Sequence, residues 1–107
     1  MKNPERIDSL LLLLERSKDD SFLKHALALE YIKKNNDTEA RKLLESVLEN
    51  DPAYVGSYYQ LAKLLERAGD AEAALKWYER GMTTALQSGN QRTFNELRAA
   101  YEELKFE

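Results

Sequence analysis

The chain has 107 residues, 33 % of them charged and 43 % hydrophobic, with a formal net charge of −3 and no cysteine. That is enough for one domain with a modest core. The absence of cysteine excludes disulfides, thiolate metal centres and cysteine nucleophiles within the chain. Without a basic block there is no clustered cationic face to grip a phosphate backbone or an anionic membrane, so neither nucleic acid nor membrane is expected as a partner.

Helix signals recur from the start. Asn3 stands before Pro4, a capping residue followed by proline at a first helical position. The helix they open is predicted to run to about residue 16, with Ile7, Leu10, Leu11 and Leu14 on one stripe, Leu13 at its edge and Leu12 pointing away. The leucine run 10–14 is too short for a secretory core of about 7–15 apolar residues or a span of about 20. Asp8 and Glu15 bracket it, and Arg16, Ser17, Lys18 and Asp19 follow instead of a small-residue cleavage site. A cytoplasmic protein is therefore expected.

Asp19, Asp20 and Ser21 supply the next cap, and a helix to about residue 34 follows. Asn35 and Asn36 break it, both tolerant of left-handed backbone. Asp37 or Thr38 is expected to cap a third helix, ending near residue 50. Asp51 and Pro52 separate it from a fourth over about residues 53–68. Gly69 and Asp70 close that helix and cap a fifth, about 71–87. Ser88, Gly89 and Asn90 make another stop and restart, and a sixth helix runs to about residue 106 with Phe94, Leu97, Tyr101 and Leu104 on one side. No segment alternates apolar and polar residues for long, so no sheet is predicted.

A shift of 34 residues superimposes Leu27 on Leu61, Ala28 on Ala62, Ala40 on Ala74, Lys42 on Lys76 and Glu45 on Glu79. It also lays Tyr31 on Leu65, Leu44 on Tyr78, and Asn35 and Asn36 on Gly69 and Asp70. The second copy reads Tyr58, Leu61, Ala62, Leu65, Gly69, Asp70, Ala74, Tyr78, and the first reads Leu27, Ala28, Tyr31, Ala40, Leu44, Pro52. This pattern resembles the tetratricopeptide repeat. The alanines are small where two helices of a hairpin cross, and the leucines and tyrosines are the large knobs beside them. Lys24 departs from the pattern at the first repeat's leading aromatic, Gly81 at a usual alanine, and Leu86 at the second repeat's proline.

The resemblance implies an all-α fold, a right-handed α-α superhelix of about six helices in one domain over residues 1–107. Its parts would be an N-terminal capping helix (1–19), two helix-turn-helix repeats (21–54 and 55–88) and a C-terminal capping helix (90–107). It also implies a non-catalytic module that binds another protein or peptide in a concave groove lined by the first helix of each repeat. Carried onto this sequence, that face holds Phe22, His25, Leu29 and Lys33, then Gly56, Tyr59, Lys63 and Arg67. The spacing of the first four supports one shared helical face. The Lys and Asn clamp with which some members hold a C-terminal carboxylate is not reproduced. His25 and Leu29 occupy its places in the first repeat, and Gln60 replaces the second repeat's Asn.

Other chemistry finds little support. A lone histidine, His25, cannot build a zinc site without cysteine or further histidine. No nucleophile or oxyanion donor is arranged around it, so no catalytic residue and no cofactor are expected. Asp19 and Asp20 lack the alternating acids and turn glycine of a calcium loop and read as a cap. Trp77, Tyr78 and Tyr58 read as core. The alternative to peptide binding is a self-associating scaffold that dimerises through Leu12 and Leu13 of the first helix. That helix could instead fold back and fill the groove.

Overall fold

The computed structural model describes residues 5–107; Asn3 and Pro4, named above as the first cap, lie outside them. Among the described residues there are six helices and no strand: α1 (Arg6–Arg16), α2 (Ser21–Lys33), α3 (Asp37–Asn50), α4 (Gly56–Arg67), α5 (Ala71–Gln87) and α6 (Gln91–Lys105). They form two compact units, divided between Asp51 and Pro52. In the first, α2 packs against α1 and α3; in the second, α5 packs against α4 and α6.

One device ends a helix and starts the next at three places. A left-handed residue is followed by a side-chain cap: Asn35 (φ 60°) then Asn36, Gly69 (φ 84°) then Asp70, Gly89 (φ 71°) then Asn90. In each, the cap's backbone N–H reaches back to a carbonyl five residues earlier: Asn36 to Tyr31 (2.8 Å), Asp70 to Leu65 (2.9 Å) and Asn90 to Ala85 (2.8 Å). The cap's Oδ1 then accepts from the backbone N–H three residues on, in Glu39, Ala73 and Thr93. Orphan carbonyls of one helix and orphan amides of the next are satisfied within a few residues. Asn36, and neither Asp37 nor Thr38, is therefore the cap of α3: Asn35 alone absorbs the left-handed turn, which frees its neighbour to cap. Asp20 caps α2 as expected, its Oδ1 accepting from Leu23 N–H at 2.9 Å. α4 starts later than its predicted position near 53, because residues following Pro52 form a turn and Gly56 is the first helical residue.

The repeat pattern is the packing pattern. Ala28, Ala40, Ala62 and Ala74 are all 0 % exposed, with Leu27, Leu44, Leu61, Leu65 and Tyr78 buried beside them. Leu10 packs with Ala26 and Leu27, and Ile7, Leu14, Leu23, Tyr31 and Leu43 lie against that cluster. Leu11 is a correction to the predicted stripe. It is 43 % exposed, because among the described residues α2 is the main neighbour of α1 and covers only a narrow strip of it.

Two of the three departures from the repeat pattern, Lys24 and Gly81, bear on one packing position, where Tyr58 meets Gly81 in the second repeat. Tyr58 is buried, its hydroxyl donating to the Pro52 carbonyl at 2.6 Å. A Cβ on Gly81 would lie 2.7 Å from Tyr58 Cβ and 3.0 Å from Leu97 Cδ1, so glycine is required by space and not by its backbone angle. In the first repeat the place of Tyr58 is taken by Lys24 and that of Gly81 by Val47, both buried. The Lys24 ammonium donates to Ser46 Oγ at 2.8 Å and lies 3.8 Å from Asp19, which lets its stem stay in the core with the charge satisfied.

Two stability measurements test this packing. Gly81→Ala is expected to lower stability by about 1–3 kcal/mol through overpacking, which outweighs the roughly 1 kcal/mol that alanine gains in helix propensity. A raised Tm would show that Tyr58 yields. Leu61→Ala, at a fully buried position, should cost about 2–5 kcal/mol; an unchanged Tm would contradict the assigned core.

Candidate functional site

In the first unit, Phe22, His25, Leu29 and Lys33 follow one another along α2 at i, i+3, i+7 and i+11. Phe22 is 64 % exposed, a large ring one position into the helix that Asp20 caps. His25 and Leu29 are half-buried, and Lys33 is exposed. Burial holds the His25 imidazole below its usual pKa, so the neutral ring prevails at neutral pH. Lys33 Nζ lies 3.1 Å from Glu30, which also pairs with Arg6 of α1 at 3.3 Å. The face is thus apolar at its start and cationic at its end, with part of that charge already answered.

In the second unit, Tyr59, Lys63 and Arg67 occupy successive turns of α4, and Gly56 stands exposed one turn before them. Tyr59 is half-buried, its ring edge-on to Tyr78 with centroids 6.3 Å apart. Lys63 Nζ lies 5.6 Å from the Tyr59 ring centroid and 3.6 Å from Glu66. The Tyr78 hydroxyl donates to the same Glu66 carboxylate. Burial, then that carboxylate, push the Tyr78 phenol far above its usual pKa, so it stays a donor at every ordinary pH. Arg67 is exposed.

Glu66 was not singled out in the sequence, and Tyr78 was expected only as a core aromatic and repeat position, not as a partner of Glu66. The spacing of Lys63 and Glu66 was a visible signal, but Tyr78 comes from α5, and only the hairpin register brings it to Glu66. Of the aromatic cluster expected in the core, Tyr58 and Tyr78 are fully buried. Trp77 is half-buried, 6.0 Å from Tyr58, and carries the Arg80 guanidinium 4.3 Å from its ring. Leu12 and Leu13 are 64 % and 51 % exposed on α1. With Ser9, Glu15 and Arg16 they line an open depression. Among the described residues no three His, Asp or Glu side chains lie close enough to hold a metal ion, and no helix is long and apolar enough to cross a membrane.

The lowered His25 pKa makes stability depend on pH with a definite sign. The unfolded chain binds this proton more tightly than the folded one. The contribution of the neutral ring is therefore complete above pH 6.5 and is lost as pH falls below that value towards the folded pKa. Wild type should lose Tm relative to His25→Gln as pH is lowered from about 7.5 to about 5.5. Parallel Tm curves for the two proteins would mean that the ring ionises as freely in the fold as outside it.

The geometry agrees with what known proteins show. The tetratricopeptide-repeat family pattern matches residues 31–101. A TPR repeat-containing protein of Pseudomonas aeruginosa is 28 % identical over 91 residues, covering 85 % of this chain and 87 % of its own. The solution structure of a tetratricopeptide repeat domain protein from Salinibacter ruber superimposes with a TM-score of 0.77 at 39 % identity, over 79 % of this chain and 86 % of its own. The TPR2B domain of yeast Sti1, solved in complex with pHsp70, shares the fold with a TM-score of 0.86 at 18 % identity, over 92 % of this chain and 79 % of its own. Tetratricopeptide repeats are in general protein–protein interaction modules. With its alanine-packed helical hairpins and the matching family pattern over residues 31–101, the chain belongs to the tetratricopeptide-repeat family.

Proposed function

We propose that this chain is a non-catalytic interaction module, with repeats at 21–54 and 55–88, that binds a peptide through the α2 and α4 faces. The observation that carries the reading is Phe22, 64 % exposed at the head of a face that continues through half-buried His25 and Leu29. A large ring left in water, with the next two positions of its face half-buried, suits an interface core, where aromatic side chains including phenylalanine are enriched. Tyr59 offers a second aromatic surface, held in orientation by Tyr78 and Lys63. Lys33, Lys63 and Arg67 favour acidic groups on the peptide, chiefly through steering and orientation. Two repeats give short faces, so affinity should be modest, about micromolar or roughly −8 kcal/mol.

The test begins with a peptide selected from a display library against the whole chain. Phe22→Ala and Tyr59→Ala, each checked for an unchanged helical spectrum, should each weaken its binding about tenfold or more. Unaltered affinity in both variants would place the functional surface elsewhere.

A second reading, self-association through α1, is favoured by one specific observation: Leu12 and Leu13 are the most exposed leucines of that helix.

A further inference from the structure

The outward face of α1 is an apolar surface that peptide binding leaves unused. A repeat array needs a polar outer face on its terminal helices. α6 has one: Arg92, Asn95, Glu96, Arg98 and Glu102 are all exposed. α1 does not. Leu12 and Leu13 form the centre of its open depression, with Ser9, Glu15 and Arg16 around them.

We propose that a second copy of this chain covers the face, α1 packing antiparallel on α1 of the partner copy about a two-fold axis at Leu12. The proposal rests on the self-association reading above and adds its geometry. The charge order along the helix selects the direction. Asp8 and Ser9 lie as far before Leu12 as Arg16 and Glu15 lie after it. An antiparallel pair centred on Leu12 therefore sets Asp8 of each copy opposite Arg16 of the other, Ser9 opposite Glu15, and Leu12 against Leu12. A parallel pair would set Asp8 beside Asp8 and Arg16 beside Arg16. Residues 8, 12 and 16 recur every four positions, so the acid, the leucine and the base follow one another along the helix surface. Among the described residues neither Asp8 nor Arg16 is in an ion pair within the chain. Both charges also suit the helix dipole, at the first and last turns. The dipole does not account for the leucines exposed between them. A self-complementary patch of this kind closes as a dimer and leaves no open edge. Two short helices make a contact smaller than the standard interface of about 1,600 Å², so dissociation in roughly the micromolar range is expected.

Sedimentation equilibrium of the full chain over a wide concentration range is the test, with circular dichroism on every variant. Wild type should be a concentration-dependent dimer. Leu12→Glu should be a monomer with its helical spectrum intact, since the residue it replaces is exposed. Asp8→Arg and Arg16→Asp should each weaken the dimer roughly tenfold by turning two attractive pairs into repulsive ones. The double exchange Asp8→Arg with Arg16→Asp should restore it. A wild type that stays monomeric throughout overturns the self-association reading and the geometry together. A dimer abolished by Leu12→Glu but indifferent to both charge reversals overturns the antiparallel register alone. A larger open-ended oligomer overturns the two-fold contact.

Discussion

The second unit is organised around a missing methyl group. Gly81 lets Tyr58 of α4 and Leu97 of α6 approach α5 more closely than any side chain would permit. Tyr58 can occupy that space only because its hydroxyl still finds an acceptor in the Pro52 carbonyl, at the turn that leads into α4. A buried phenol without that partner would lose a hydrogen bond made in water, at a cost of about 1–3 kcal/mol. Ring, turn and glycine therefore depend on one another. At the corresponding positions the first repeat carries buried Lys24 and Val47, and Ser46 takes the lysine's hydrogen bond. A flexible aliphatic stem replaces the ring, a hydroxyl accepts from the ammonium, and a valine takes the glycine's place.

These compensations explain why departures from the repeat pattern were visible in the sequence while their meaning was not. Lys24 and Gly81 stand out against a 34-residue register because an aromatic and an alanine belong there. Register alone does not say that the two departures concern one place in the hairpin, since positions 24 and 81 belong to different repeats. The pairing emerges only when Tyr58 is set against Gly81 in space. The helix ends were more legible. A left-handed residue followed by an Asx cap is a local device, complete within about six residues. It could be read at Gly69 and Asp70 and again at Gly89 and Asn90. The reading slipped by one residue at Asn35 and Asn36, where two identical side chains take different jobs and composition cannot say which.

α1 shows the opposite limit. Its stripe was read from periodicity as Ile7, Leu10, Leu11 and Leu14, yet only Leu10 is fully buried. Periodicity reports which residues share a face of a helix, not how wide a strip a neighbour covers. With leucine at five successive positions, almost any stripe on that helix looks apolar. Sequence alone could identify Leu12 as pointing away, but the exposure of Leu11 and Leu13 on either side follows from how narrow a strip α2, the main neighbour of α1 among the described residues, covers.

The proposed peptide faces were legible as spacing, and their electrostatics were not. A count of cations gives Lys33, Lys63 and Arg67 equal weight as attractors for an acidic peptide. The geometry separates them. Lys63 is held between the Tyr59 ring and Glu66, and Glu66 is itself fixed by the Tyr78 hydroxyl. An ammonium so placed has lost much of its reach, and an incoming carboxylate would have to approach alongside Glu66. Lys33 has a weaker hold, since Glu30 divides its charge between Lys33 and Arg6 and the lysine is largely in water. On the proposed reading, charge selection therefore comes more from Lys33 than from Lys63. On the same reading, Lys63 would serve chiefly by sitting against the Tyr59 ring, so that less side-chain freedom is lost when a peptide settles on it.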